Sequence, residues 1–350
     1  MSSKMPEDYM AHIPIDEGYG YASDSSGEET ASIIAVASTI DSYRYENGRR
    51  YHAYRDGSYW GANDEPNAAY EKVVHHLFLK VMNDKLHLAP VKDPKSIADL
   101  GTGTGLWAMD IADVFDDADV LGVDLSPVPY TTQPNVEFDV DDITAEWTHG
   151  RQFDFIHMRS LFGSIEDWPG LYRQCFENLE SGGYIEQVEF SIVPYHSNGS
   201  PASDTLMYRW VELGTAYHKA TGKTLFIAET MKGLMEDAGF VDVVETQVHF
   251  PMGPWSSDEE YKVLGKWYKK VWLTGMENWL LAACTRYLNW TPEDVHKFVQ
   301  DSKKTIDDRT HRFYYNGLVD PDTHEKSMFA DTRTDILYMA GSPENTAAMG

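Results

Sequence analysis

The chain has 350 residues, 42% of them apolar and 13% aromatic, a composition that can bury a substantial globular core. With 29 basic against 56 acidic residues its formal charge is −27, and repulsion from phosphate argues against direct nucleic-acid binding. The two cysteines, Cys175 and Cys284, form no C-x-x-C pair, so neither a disulfide framework nor a metal site is indicated. We therefore expect an intracellular protein, cytoplasmic or nuclear.

Residues 1–38 are acidic and rich in Ser and Gly, and they cannot bury enough apolar surface to offset the entropy of ordering. We predict a mobile tail there. It lacks the basic head and apolar block of a signal peptide. The chain contains no run of about 18 apolar residues, so we predict no membrane span. Beyond it we expect a flap and helix over 39–92, a core over 93–195, further helices and final strands of the same domain over 196–340, and a tail over 341–350.

An aromatic and basic cluster runs from Tyr43 to Trp60. Arginines this dense in an acidic chain suggest an anionic partner group, either carboxylates elsewhere in the protein or a ligand. Arginines paired with surface acids beneath a tyrosine flap are an equal alternative. Apolar residues at helical spacing from Tyr70 to Val81 then predict an amphipathic helix over residues 65–83, and we assign its His75 and His76 no metal role.

From Ser96 onward apolar strands alternate with helical segments, which is typical of a parallel α/β sheet with crossover helices. The predicted strands are 96–100, 120–123, 136–140, 153–158 and 184–193, with helices after the first strand and over 167–179. Later helices are predicted at 202–220, 227–238, 257–285 and 291–305, and a further strand at 241–250. The last strand is ambiguous between 310–319 and 335–340.

The first strand ends in Asp99 and breaks into glycines at 101, 103 and 105, which predicts a strand, a tight turn and a helix start. Glycine reaches positive φ and lets a ligand lie against the main chain. A dinucleotide fingerprint would need its third glycine at position 106, which is Leu106. The spacing instead resembles the first motif of class I S-adenosylmethionine-dependent methyltransferases.

Acidic residues follow three successive strands, at a sheet edge where ligands of parallel α/β proteins bind. Asp124 can accept hydrogen bonds from both ribose hydroxyls, an acid after the third strand can take the adenine amino group, and Asp99 can hold the ammonium. Turn and helix-cap roles explain any one acid but poorly explain all three. The predicted cofactor-binding residues are Asp99, Gly101, Thr102, Gly103, Gly105, Asp124, Leu125, Asp141, Asp142, Met158 and Arg159.

Residues 43 to about 250 resemble the fungal LaeA-like methyltransferases, a class I group associated with secondary metabolism and development. The resemblance is carried by the blocks at 43–52, 85–90, 99–107, 122–127, 153–159, 163–168 and 182–187. It implies a Rossmann-like, mostly parallel seven-stranded sheet with helices on both faces, extended by C-terminal helices. It also implies S-adenosyl-L-methionine as cofactor, S-adenosyl-L-homocysteine as product, and a velvet-type regulatory protein as a possible partner.

Methyl transfer is an in-line displacement, so the enzyme mainly aligns the acceptor, and a general base is needed only for a hydroxyl or a neutral acid. His157 after the fourth strand is the first candidate base, with Glu186 and Glu189 near the fifth strand as weaker ones. Alternation along the strand favours the other interpretation of His157, that of a satisfied core histidine pointing inward.

We therefore predict a methyltransferase acting on a small metabolite or a protein side chain. The alternative is a LaeA-like regulatory subunit that binds the cofactor but works through protein complexes. The aromatic residues of 43–60 and 255–290 suit a pocket for a planar or apolar metabolite, or else core packing or a protein interface.

Overall fold

The computed structural model describes residues 43–128, 133–148, 150–317 and, for the backbone alone, 338–341. All of them belong to one compact unit, residues 39–350. The predicted tail at 1–38 and all but the first residue of the tail at 341–350 lie outside the described residues. The strands are β1 (Arg44–Glu46), β2 (Arg49–Tyr51), β3 (Ser96–Leu100), β4 (Asp119–Asp124), β5 (Val136–Val140), β6 (Phe153–Arg159), β7 (Leu179–Val188), β8 (Tyr195–His196), β9 (Val241–Glu245), β10 (Val248–Pro251), β11 (Phe313–Gly317) and β12 (Tyr338–Gly341). The helices are α1 (Glu65–Val81), α2 (Leu106–Val114), α3 (Trp168–Glu177), α4 (Arg209–Thr221), α5 (Met231–Ala238), α6 (Glu259–Tyr287) and α7 (Pro292–Asp307).

The centre of the fold is a parallel sheet of five strands in the order β5-β4-β3-β6-β7. At the β7 edge β12 pairs antiparallel with β7, and β9 pairs antiparallel with β12. Alternate residues of β3 enter two separate cores, since Ile97 packs with α2 while Ala98 packs with α1 and α3. The predicted parallel α/β sheet with flanking and additional C-terminal helices is therefore confirmed.

Two strand predictions need correction. β7 begins at Leu179 instead of 184, because Ser181–Gly183 continue the strand through a register shift opposite Phe153 and Phe155. The apolar run at 241–250 is not one strand, since the chain leaves the main sheet after β9 and its second half becomes β10 of another sheet. That smaller antiparallel sheet has the order β10-β11-β8. Both regions proposed for the last strand contain one, β11 in the small sheet and β12 in the main sheet.

The N-terminal cluster contains the β1–β2 hairpin, and three of its four arginines pair with carboxylates of the protein, whereas the Arg50 guanidinium donates to Asn63. Arg49 donates two hydrogen bonds to Asp64, at 2.6 and 2.7 Å, and Asp64 also caps the N-terminus of α1. Arg44 pairs with Asp56. The anionic partners of Arg44 and Arg49 are therefore carboxylates of the protein itself, one of the two possibilities considered from the sequence.

The 29-residue helix α6 packs against α1, α7 and β10, and it therefore covers the part of the core next to the C-terminal elements. It is rich in aromatic residues that contact one another, such as Trp272 with Trp279. Within the described part of the chain, none of the helices combines the length and apolar character required to cross a bilayer.

Candidate functional site

A cavity of about 780 Å³ opens at the carboxyl ends of β3, β4 and β6 and is bounded by α1 and by the segment after β2. This is the edge where ligands of parallel α/β sheets bind. Nine of the predicted cofactor-binding residues line it: Asp99, Gly101, Thr102, Gly103, Asp124, Leu125, Asp141, Asp142 and Arg159. Gly105 and Met158 do not. Gly105 instead begins α2 against Phe138, and the Met158 side chain is buried in the core.

The glycine turn is held against β4 by its own backbone. The amides of Gly101 and Thr102 both donate to the carbonyl of Val123, at 2.8 and 3.0 Å. Gly101 and Gly103 have φ values of +73° and +57°, a left-handed conformation that side chains other than glycine rarely adopt. The turn is therefore fixed in a form that requires glycine.

Asp124 ends β4 and faces the turn. One carboxylate oxygen accepts the Gly103 amide at 2.9 Å, and the other accepts the Ser126 amide at 3.0 Å. Burial raises the pKa of Asp124, and these backbone amides oppose that rise. Because a carboxylate oxygen has more than one lone pair, each oxygen can still accept a hydroxyl of a ligand.

Asp141 and Asp142 follow β5 and lie where the N-terminal segment reaches the cavity. The Tyr54 hydroxyl donates to Asp141 at 3.3 Å, and the Arg55 guanidinium lies 3.6 Å from Asp142. Both acids line the cavity. The segment after β2 therefore contacts the two acids that follow β5.

Asp99 and His157 form a buried pair beneath the cavity. His157 Nδ1 lies 2.7 Å from one Asp99 oxygen, and the Thr102 hydroxyl donates to the other at 2.6 Å. The imidazole stacks on Trp107 with 3.6 Å between ring centroids, and burial lowers the pKa of His157 to about 4. His157 is 1% exposed and its Nε2 is buried as well. This packing favours the core interpretation of His157 over its predicted role as a base.

Glu186 and Glu189 are also buried, and both accept hydrogen bonds from backbone amides. Glu186 accepts the amides of Leu88 and Ala89, at 2.8 and 2.7 Å, and does not line the cavity. Glu189 accepts the amide of Leu161 at 2.9 Å, together with a neighbouring one. Burial raises the pKa of each carboxyl to about 7. The predicted catalytic role of Glu186 does not fit this geometry, because its side chain fixes the chain before β3.

Glu71 on α1 is a cavity residue that the sequence analysis missed. One oxygen accepts the Thr104 amide at 2.9 Å and the other accepts the Asn67 side-chain amide at 2.7 Å. Burial, and next the nearby Asp124 charge, raise the pKa of Glu71 to about 7. An acid on an amphipathic helix distant in sequence from the glycine turn carries no local signal of this contact.

Arg159 and His75 meet at the same cavity. Arg159 Nη2 donates to His75 Nδ1 at 3.2 Å, and His75 Nε2 lies 2.8 Å from an Asp110 oxygen. Burial lowers the pKa of His75, so the ring is neutral and can accept from arginine while donating to Asp110. His75 is 3% exposed. No role was predicted for it because its partners, Arg159 and Asp110, are distant from it in sequence.

Aromatic side chains form another wall of the cavity. Tyr59, Trp60, Phe162 and Trp279 line it, and three of these also line an adjoining apolar cavity of about 50 Å³. Among the aromatic residues of 255–290, Trp279 lines both cavities, Tyr268 and Trp272 line the smaller one, and Trp255 and Trp267 line neither.

The donors and acceptors of the cavity fit a phosphate-free nucleoside that carries positive charge. In a dinucleotide site the pyrophosphate lies at the N-terminus of the helix that follows the glycine turn. Here the Glu71 carboxylate already accepts the Thr104 amide at that place, and Asp99 and Asp124 lie close by. Phosphate would be repelled, whereas S-adenosylmethionine carries a sulfonium and an ammonium.

Comparison with known proteins gives a consistent result. A family described as "Methyltransferase domain" matches residues 73–246. Methyltransferase pytC of Aspergillus terreus is 37% identical over 76% of this chain and 83% of its own length. The secondary metabolism regulator LAE1 of Cochliobolus heterostrophus is 34% identical over 77% of this chain and 91% of its own. The protein-methionine methyltransferase laeA of Emericella nidulans is 33% identical over 75% and 71%.

Proposed function

This chain belongs to the family of S-adenosylmethionine-dependent methyltransferases that includes pytC and laeA, and we propose that it methylates an acceptor of fungal secondary metabolism. The observation that carries the proposal is that acids from three strand ends meet the glycine turn in one cavity. When bound there, S-adenosylmethionine supplies an electrophilic methyl group on its sulfonium.

The chain's own residues have distinct tasks in this proposal. Asp124 accepts hydrogen bonds from the ribose hydroxyls, and the acids after β5 accept from the adenine amino group. The buried His157 holds Asp99 in one orientation beneath the glycine turn. The aromatic wall with Trp60 and Phe162 restricts water at the side of the cavity that remains for the acceptor. Catalysis then depends mainly on alignment of acceptor and methyl donor.

The state of the histidines bears on the acceptor. Of the two described histidines that line the cavity, His75 binds Asp110 and Arg159, and His157 binds Asp99 through Nδ1 while its Nε2 is buried. We therefore propose an acceptor atom that is nucleophilic without losing a proton, such as a carboxylate oxygen or a thioether sulfur. The printed name of the laeA relative, a protein-methionine methyltransferase, agrees with a thioether. The aromatic wall suits an acceptor whose remainder is apolar.

The proposal is tested by following the methyl group. The protein is incubated with methyl-labelled S-adenosylmethionine and with one of two acceptor pools prepared from one batch of cells. One pool is the small-molecule extract and the other is the protein fraction. We expect label in one pool with wild type and much less with Asp124→Asn when the cofactor concentration is below saturation. Absence of S-adenosylhomocysteine formation with both pools would contradict turnover.

A regulatory role is the second candidate, because a relative similar over 77% of this chain is named a secondary metabolism regulator. In that case the protein works in a complex, with a velvet-type regulatory protein as the candidate partner. Co-purification from native extracts distinguishes the two roles. A protein that stays alone in extracts and methylates a metabolite would exclude the regulatory candidate.

A further inference from the structure

Arg159, at the end of β6, differs in its environment from Arg44 and Arg49 of the N-terminal hairpin. Arg44 and Arg49 pair with carboxylates, but among the described residues no carboxylate forms an ion pair with Arg159. Its guanidinium lines the cavity over the Phe78 ring, 5.4 Å from the ring centroid. The charges of Asp99 and Glu71 act on it only from beyond ion-pair distance, and burial lowers its pKa. A partly buried cation without a counter-ion in contact costs stability. This arrangement points to an anionic group of a ligand.

The guanidinium is also held in place. His75 accepts from Arg159 Nη2 at 3.2 Å and is itself anchored by Asp110 at 2.8 Å. This chain of hydrogen bonds uses one nitrogen of the guanidinium. The other donors of Arg159 are left for the cavity, where a planar guanidinium can bind a carboxylate with two hydrogen bonds.

An opposite charge lies on the same helix, one turn earlier. Glu71 precedes His75 by four residues on α1, so the two side chains are neighbours on one helix face. The carboxylate of Glu71 lines the cavity beside Gly103 and close to Asp124. Two carboxylates in proximity are stabilised by a cation between them. The cavity therefore offers a positive group at the end of β6 and a negative group on α1, the two charges that an α-amino acid requires.

We propose that Arg159 binds the α-carboxylate of the amino acid half of S-adenosylmethionine, and that Glu71 binds its α-ammonium in place of Asp99, the residue expected from the sequence. His75 is a positioning residue that orients Arg159. This inference rests on the proposed function, because it assigns the amino acid end of the cofactor whose ribose and adenine ends are given to Asp124 and the acids after β5. It adds Glu71 and His75 to the cofactor site and gives Arg159 a chemical partner.

The test uses three ligands that differ only in the amino acid end. S-adenosylhomocysteine has both charged groups, its decarboxylated analogue keeps the amine alone, and 5′-methylthioadenosine has neither. Dissociation constants are measured by calorimetry for the full chain and for Arg159→Gln, Arg159→Lys, Glu71→Gln and His75→Leu. Arg209→Gln, on an exposed arginine of α4, is the control. The melting temperature of each variant reports whether it folds.

Arg159→Gln is expected to weaken S-adenosylhomocysteine about tenfold or more, since a charge-assisted hydrogen bond is lost, while the two other ligands change less than about twofold. Glu71→Gln is expected to weaken both amine-bearing ligands and to spare 5′-methylthioadenosine. His75→Leu should follow the pattern of Arg159→Gln at smaller size, and Arg159→Lys should recover part of the loss.

Two results would overturn the inference. One is an equal loss for all three ligands, which means that the variants disturb the whole cavity. The other is unchanged affinity for S-adenosylhomocysteine in both Arg159→Gln and Glu71→Gln. Failure of wild type to bind any of the three ligands would instead refute the proposed function, so the two failures are distinguishable.

Discussion

Replacing Asp124 by asparagine tests the ribose contact with little change in size. In the structure the two oxygens of Asp124 accept one backbone amide each, from Gly103 at 2.9 Å and from Ser126 at 3.0 Å. Asparagine places a donor where one oxygen was and removes the negative charge. Loss of one charge-assisted hydrogen bond to a ribose hydroxyl costs about 1.5–3 kcal/mol, which corresponds to a dissociation constant about 10- to 150-fold higher.

Calorimetric titration with S-adenosylhomocysteine at fixed pH measures this change. The matched control is Asp119→Asn, at the exposed opposite end of the same strand, for which the dissociation constant should stay as in wild type. Melting temperatures recorded in parallel separate loss of binding from loss of folding. A folded Asp124→Asn protein with wild-type affinity would refute the assignment of Asp124 to the ribose.

Three further outcomes are expected. Gly103→Val should raise the dissociation constant for S-adenosylhomocysteine by more than about tenfold, because φ is +57° and a Cβ would lie 2.7 Å from a Glu71 oxygen; unchanged affinity would contradict this. Burial raises the pKa of Glu186 from 4.5 to about 7, so this residue alone should contribute a loss of about 2 kcal/mol of stability as pH rises from 4.5 to 7. In denaturant unfolding Glu186→Gln should therefore lose about 2 kcal/mol less than wild type over this range, with cofactor affinity unchanged, and a parallel profile would exclude the assignment. Arg49→Gln should lower the free energy of unfolding by about 3 kcal/mol, since it leaves Asp64 without its partner; an unchanged urea midpoint would show that this pair contributes nothing.

The strand-end acids could be predicted because their positions follow from chain order alone. Parallel strands joined by crossover helices bring their carboxyl ends to one edge, so Asp99, Asp124 and Asp141 had to approach one another once the alternation of strands and helices was recognised. The glycine turn could be predicted for a similar reason, since its backbone conformation is local. These features are set by short-range pattern and by topology.

The orientation of His157 could not be predicted, because β6 is buried on both faces. Such a strand is a nearly continuous apolar run, and the alternation that would show which face a residue occupies is hidden. The role of Glu186 could not be predicted either, because its hydrogen-bond partners, the amides of Leu88 and Ala89, are distant in sequence.

Glu71 and the partners of Arg159 depend on how α1 packs across the sheet edge. The hydrophobic spacing of α1 predicts the helix and its buried face, but it does not give the rotation that brings Glu71 to the Thr104 amide at 2.9 Å. That rotation is set by contacts with α6, far along the chain. Tertiary packing therefore decides this part of the site.

Binding of S-adenosylhomocysteine to the wild-type chain tests the central claim most directly. We expect a saturable calorimetric isotherm with one site per chain, together with a rise in stability of about 2.7 kcal/mol when the ligand is at 100 times its dissociation constant. A titration without heat and without any rise in melting temperature would contradict the assignment of the cavity to this cofactor.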